Sequence, residues 1–375
     1  MALSLSYQPA EDKIIYARSP ILYKFEGATP TSYTYLISLS ATTGIVSTLA
    51  EYVTINRTPD LDNFIIIDVG NIVKNYIRTY FSNTTENAIY LQVACIEYDG
   101  TTVNATVTSD VCIATYGYTS YLDGFNKNYQ TTAYSYPLTS VPETIYLPQY
   151  GGTGNSYSIA YANVDPNTLY SIYFYSGGTY SHASYFFPVV TDGKSNIYDI
   201  YVGYDDMDRL HGIEVDQNTE MLLIIEDWVG GTLKQYKIKP DTCNGNDLHV
   251  LKFLNKFGAW SKIFIKAKVE QTTEIKSETY KYNKVNHTSM TYITDGSYHK
   301  LFTNGKSGYK LNTGWISEDM NPLLDELMLS EHVYYDNMPC IIKDTSITYK
   351  THHWDKLINY MITIELAYDK LNNII

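Results

Sequence analysis

Met221-Leu222-Leu223-Ile224-Ile225-Glu226-Asp227-Trp228, then Val229-Gly230-Gly231, then Thr232-Leu233-Lys234-Gln235-Tyr236-Lys237-Ile238-Lys239 reads as two strands and the connection between them. The first run is apolar and rich in strand formers. In the second, Tyr236 and Ile238 alternate with Gln235, Lys237 and Lys239, and the two glycines permit the positive φ angles of a compact hairpin. The same period of two, filled with Tyr, Ile, Val and Thr, recurs along most of the chain. Such residues suit a half-buried pleated surface, so the fold class expected is mainly β.

Working outward, Ile14 to Ala114 holds about seven strand candidates: Ile14 to Tyr16, Ile21 to Phe25, Tyr33 to Ser40, Val46 to Ile55, Phe64 to Val69, Ala88 to Glu97 and Val103 to Ala114. That number in that length is the size of an immunoglobulin-like β-sandwich. One helix interrupts it near 68–81. Asp68 is a good cap, and Val69, Ile72, Val73, Tyr76, Ile77 and Tyr80 recur at spacings of three and four. A second run of strands from Ser158 to Lys268, which includes the opening hairpin, implies a second β-sandwich. The domains expected are therefore 1–116, a β-sandwich with one helix; 117–156, a Tyr/Gly/Thr-rich connection; 157–286, the second β-sandwich; and 287–375, an α+β docking segment. The last has a helix near 321–330, capped by Asn321 with Pro322 at its first position. It ends in a long β-hairpin in which Ile358, Tyr360, Ile362, Ile364 and Leu366 share one face.

The chain has 39 Tyr in 375 residues, only 18% charged residues and a formal net charge of −13. A surface so poor in charge must be covered largely by Tyr, Ser, Thr and Asn. The sign of the charge argues against binding nucleic acid by phosphate neutralisation and against docking on anionic membranes. Residues 1–250 hold 12 basic and 26 acidic side chains, net −14, whereas residues 251–375 hold 15 and 14, net +1. Between Asp110 and Asp208 the basic side chains are Lys127 and Lys194 alone. Met1 to Tyr7 shows no basic stretch leading into an apolar one, and no apolar run approaches the roughly 20 residues of a membrane span. A chain that is neither exported by the classical route nor embedded in a membrane is expected.

Catalytic constellations do not emerge. Gly305-Lys306-Ser307 ends like a phosphate loop, but Lys300 stands where its first glycine is required. Nucleophile elbows, zinc helices and dinucleotide fingerprints are missing. Cys95, Cys112, Cys243 and Cys340 lie far apart and read as free thiols, with a Cys95–Cys112 hairpin disulfide as the lesser alternative. Asp205-Asp206-Met207-Asp208 reads as a solvated acidic turn; as a calcium loop it lacks the glycine and the distal glutamate. His352-His353-Trp354 reads as a turn, because neighbours on a strand point to opposite faces. Two carboxylates on facing strands would suffice for glycoside hydrolysis, which leaves a carbohydrate-active hydrolase as a remote alternative. No enzyme, cofactor or metal is expected. The residues singled out are interface candidates: Tyr118, Tyr121 and Tyr129 in the Tyr-rich connection, and Trp260 and Trp315 beside Gly258 and Gly314, glycines expected to allow close backbone approach. For both tryptophans a place in the core is the competing reading.

Several phrases, in this order along nearly the whole chain, are similar to structural proteins of bacteriophage virions, in particular tail and ring components of crAss-like phages of Bacteroidetes. They are Ser19-Pro20-Ile21-Leu22-Tyr23-Lys24-Phe25, Asp68-Val69-Gly70-Asn71-Ile72-Val73-Lys74-Asn75-Tyr76-Ile77, Phe253-Leu254-Asn255-Lys256-Phe257-Gly258-Ala259-Trp260 and Asn312-Thr313-Gly314-Trp315-Ile316. Leu327 to Val333 and Tyr349 to Tyr360 add to the series. The resemblance implies a non-enzymatic subunit, made in the bacterial host cytoplasm and built into the virion as a cyclic ring of the tail or collar. Its partners would be copies of itself, neighbouring tail, portal or collar proteins, and genomic DNA passing through without specific binding. An acidic lining would keep that DNA mobile by like-charge repulsion. The alternative is a receptor-binding or head-fibre adhesin whose Tyr-rich loops stack on host glycans.

Overall fold

The computed structural model of the chain describes residues 3–9, 14–27, 33–42, 48–58, 64–78, 88–120, 136–148, 157–163, 169–176, 179–186, 196–204, 206–207, 219–226, 231–241, 248–281, 298–348 and 357–371. These residues are mainly β. They divide into two compact units, 1–244 with 254–261, and 245–253 with 262–375.

The first unit opens with β1 (Ser4–Tyr7), β2 (Ile14–Tyr16), β3 (Leu22–Glu26), β4 (Tyr33–Thr42), β5 (Ala50–Arg57), β6 (Phe64–Asp68), helix α1 (Gly70–Arg78), β7 (Ala88–Asp99), β8 (Thr102–Thr108) and β9 (Cys112–Thr115). A sheet of order β1-β3-β6 packs on one of order β2-β9-β7-β4-β5, to which β8 adds through β7. Tyr23, Phe25, Ile65 and Ile67 from the small sheet meet Leu39, Leu91, Val93, Cys95 and Cys112 from the large one. That is a β-sandwich, and α1 lays Val73 and Ile77 into the same core. The Asp68 carboxylate accepts hydrogen bonds from Gly70 N and from Ile21 N, both at 2.9 Å, so one side chain starts the helix and ties it to the residue that leads into β3. The stretch expected as one strand, Val103 to Ala114, is two. Ser109 interrupts it by donating its N–H to Val93 O and accepting from Val93 N through Oγ. The Cys95–Cys112 alternative is overturned: both side chains are buried as thiols, with no disulfide between them. Cys112 pairs in register with Leu91, which puts Cys95 four residues, about 14 Å, along β7.

The unit continues with β10 (Tyr136–Pro137), β11 (Thr144–Pro148), β12 (Ser158–Asn163), β13 (Leu169–Ser176), β14 (Thr179–Phe186), β15 (Asn196–Tyr201), β16 (Met221–Glu226) and β17 (Thr232–Asp241). The opening hairpin is there as β16–β17, antiparallel from Met221↔Ile238 to Glu226↔Thr232. It lies in a sheet of order β11-β17-β16-β13-β14 beside a sheet of order β10-β12-β15. The two sheets form a second β-sandwich, in which Tyr236 of the first sheet and Tyr157 and Tyr161, beside and on β12, are buried. Part of the expected connection 117–156 is strand: Ile145 and Leu147 are buried, and β11 pairs in parallel with β17.

Both sandwiches lie in the same compact unit. β2 and β9 form a parallel pair buried on both faces, as their unbroken runs Ile14-Ile15-Tyr16 and Cys112-Ile113-Ala114 require. Ile15 and Ala114 face the first core. Ile14, Tyr16 and Ile113 face a seam shared with Leu138, Ala160, Phe257 and Ala259. The tip Leu254–Ser261 closes this seam. Asn255 organises it, accepting from Phe257 N and Ala259 N and donating to Leu138 O and Ser261 Oγ.

The second unit holds β18 (His249–Leu254), β19 (Trp260–Ile265), β20 (Val269–Lys281), β21 (Tyr298–Asn312), β22 (Ile316–Ser317), a 3₁₀ turn at Glu318–Met320, α2 (Asn321–Met328), β23 (Val333–Tyr335), β24 (Met338–Ile342), β25 (Leu357–Ile358) and β26 (Met361–Asp369). Seven strands form one sheet of order β19-β18-β23-β24-β26-β21-β20. β20 and β21, which lie on either side of the boundary expected at 286/287, pair with each other in this sheet. The strands of the expected terminal hairpin pair as β24 with β26, and β26 also pairs with β21 on its other side. Asp336 and Asn337, both at positive φ, make the tight turn from β23 to β24 that Asx residues favour. The cap of α2 also differs from expectation. The 3₁₀ turn precedes it, Ser317 Oγ accepts from Asp319 N, and Asn321 instead accepts from Tyr360 Oη at 2.8 Å.

Candidate assembly interface

Val269–Lys281 and Tyr298–Asn312 are strand formers without a core. Thr272, Thr273, Thr279 and Thr303 favour the extended backbone, but apolar residues are too few and too scattered to line a buried face. The two strands pair from Val269↔Leu311 to Lys281↔Tyr298, with a bulge between Glu278 and Thr279. At its root the ribbon is fastened. Glu365 on β26 accepts from Lys306 Nζ and Lys343 Nζ, both at 3.0 Å, Asn304 Nδ2 donates to Asp369 Oδ2, and Lys370 Nζ donates to Thr273 Oγ1. Lys306 and Lys343 together hold the Glu365 carboxyl below the usual carboxylate range, and Glu365 in turn raises Lys306. Distal to Ile275 and Gly305, the two strands pair only with each other among the described strands.

This distal part is exposed on both faces. The register puts Ile275 and Tyr298 on one face, 63% and 68% exposed, and Tyr280, Phe302 and His299 on the other, with Leu301, 69% exposed, as the extra residue at the bulge. Tyr280 and His299 rings lie 5.8 Å apart across the pair. A two-stranded ribbon with solvent on both faces is marginal by itself. Here β20 also stands at the edge of its sheet, presenting a long row of outward backbone donors and acceptors. Sequence reasoning passed over this segment; strand propensity with no periodic apolar face was the available signal.

Of the residues singled out from sequence, Trp315 is displayed. Gly314, at φ +70° with its N–H on Asn312 Oδ1, turns the chain so that Trp315 is 67% exposed. Leu357 and Met361, on strands paired beside it, are exposed as well. A side chain at Gly314 would meet only ordinary contacts, so it is there for its φ and not for close approach. Trp260 packs against the first sandwich core. Tyr118 is half-buried, its ring under the Arg18 guanidinium at 4.8 Å and its N–H on Lys256 O. Tyr121 and Tyr129 lie outside the described residues, as do Cys243 and His352-His353-Trp354.

No protein-family model and no curated protein matches the chain. Among solved structures, the calcium binding domain CBD12 of CALX1.1 aligns over 64% of this chain and 100% of that one, at 5% identity and a TM-score of 0.18. CBD12 from CALX1.2 aligns over the same shares at 6% identity and a TM-score of 0.19.

The reading of tyrosine as surface needs correction. Among the described residues Tyr16, Tyr23, Tyr116, Tyr157, Tyr161, Tyr204, Tyr236, Tyr335 and Tyr360 are buried, and five of them are among the largest wholly enclosed side chains. A buried tyrosine fills volume like phenylalanine while its hydroxyl reaches a polar group at the margin of the core, as Tyr204 Oη does to Thr219 O. Burial raises Tyr157, Tyr161 and Tyr236 far above the ordinary phenol value, and it pushes the Cys95 and Cys340 thiols up to about 12. These groups stay protonated and inert near neutral pH. Asp206 is not part of a solvated turn: it is buried and accepts from Tyr157 N at 3.0 Å. Among the described residues no group of three or more His, Cys, Asp or Glu stands together in a way that could hold a metal, and no helix is long and apolar enough to cross a membrane.

Proposed function

We propose that this chain is a non-enzymatic structural subunit of a phage virion, repeated as a cyclic ring in the tail or collar, with genomic DNA passing through the ring unbound. The observation that carries the assembly role is the distal β20–β21 ribbon, an extended element with apolar side chains on both faces and no core of its own. The ordered series of phrases shared with virion proteins directs that role to a phage particle. The glycan-binding alternative draws no comparable support, since Tyr118 is engaged with Arg18. Electron microscopy of the purified full chain, with mass spectrometry of virions, tests the proposal. A closed cyclic oligomer and many copies per particle are expected; a chain that remains monomeric at assembly concentrations and is missing from virions would sink it.

A further inference from the structure

Resting on that reading, we infer that the distal β20–β21 ribbon docks on the first unit of the next copy of this chain. A ring requires a heterologous contact, in which one patch of each subunit meets a different patch of its neighbour around the axis. The ribbon is half of such a contact. Ile275, Tyr298 and Leu301 are large apolar side chains that water covers in the isolated chain, and the outer edge of β20 offers backbone groups for pairing.

Charge chooses the other half. Ile275–Lys281 with Tyr298–Asn304 carries Lys276, Lys281 and Lys300 against the single carboxylate Glu278, while residues 1–250 are net −14. Ribbon against ribbon would set these lysines against their own copies. Ribbon against the remainder of the second unit gains little, because residues 251–375 outside the two ribbon segments are close to neutral, with 12 basic and 13 acidic side chains. The acidic first unit of a neighbour is the complementary surface within a homo-oligomer, and opposite charge steers the encounter and fixes its register. Double-stranded DNA fits less well: three lysines among apolar side chains are not the concentrated basic field that phosphates need.

The test uses the full chain in a one-to-one mixture of ¹⁴N- and ¹⁵N-labelled protein, crosslinked with a zero-length carbodiimide that joins amines to carboxylates. Mixed-isotope crosslinks from Lys276, Lys281 or Lys300 to carboxylates within 1–250 are expected. The variant Ile275→Ser/Tyr298→Ser/Leu301→Ser should associate roughly tenfold or more weakly, as loss of central apolar anchors does. Its thermal midpoint should match that of the parent, because these side chains are exposed in the monomer. Raising salt from about 0.05 to about 0.5 M should weaken association of the parent. Rings that form normally from the variant, intermolecular crosslinks confined to ribbon–ribbon or second-unit sites, or ribbon-dependent retention of DNA would overturn the inference and leave the ring reading intact. A parent chain that never oligomerises and has no place in virions overturns the ring reading, and this inference with it.

Discussion

Two glycines facing each other decide whether the hairpin tip can close the seam of the first unit. A Cβ on Gly117 would stand 2.4 Å from Lys256 O and from the Tyr16 ring, and a Cβ on Gly258 would stand 2.6 Å from Tyr116 N. Backbone atoms cannot move aside as a side-chain end can, and Gly258 also holds φ +79°. Gly258→Ala should therefore cost about 2–4 kcal/mol in chemical denaturation, combining overpacking with a left-handed backbone. Gly100 is the control. It has φ +63° but nothing within 4 Å of a built Cβ, so Gly100→Ala should cost only about 1–2 kcal/mol. Equal losses at the two positions would show that contact at the tip does not matter. The phrase Phe257-Gly258-Ala259-Trp260 suggested close approach from sequence; its partner, Gly117, could not be found that way, because the two are 141 residues apart.

Among the elements, the ribbon is held by a charge cluster that links β21, β26 and the segment after β24. The sign of its pH dependence follows from the shifts. Glu365 is lowered in the folded chain, so its contribution is complete above the ordinary carboxyl value of about 4.3 and is lost as pH falls through the lower folded value. Lys306 is raised, so its share is complete below about 10.4 and is lost only as pH rises through the folded value. Glu365→Gln should lower the thermal midpoint at pH 7, and the gap to the parent should close as pH falls below about 4. A gap that persists in acid would mean that packing, not the ion pairs, sets the loss. Element type was largely legible in the sequence. The alternation in β7, the apolar stripe of α1 and the β16–β17 hairpin are local patterns, and local patterns are what periodicity reports. Missed were the split at Ser109 and the strand β11, both made by long-range pairing that leaves little local trace.

For the whole molecule, protection should be uneven in a way that reports assembly. In hydrogen exchange, amides of β7, paired on both sides within a sandwich core, should open only with global unfolding. Those of the distal ribbon should exchange through local opening in the free chain and become protected in the ring. Equal protection of the ribbon in both states would remove its role as the assembling element. The sequence by itself determined the β class, the placement of most of the described strands and of helices α1 and α2, and the acidity of the first two thirds, because each is a property of local pattern or of a sum over residues. It also indicated Gly258 as a site of close approach and Trp315 as a candidate for display. Tertiary structure alone decided that the two sandwiches share one seam, that Trp260 packs against a core and nine of the described tyrosines are buried, that Asp206 turns inward, and that the distal parts of β20 and β21 pair only with each other among the described strands. The physical reason is the same in each case: burial depends on which distant segment covers a residue, and a strand pattern fixes the face that needs covering without saying what covers it.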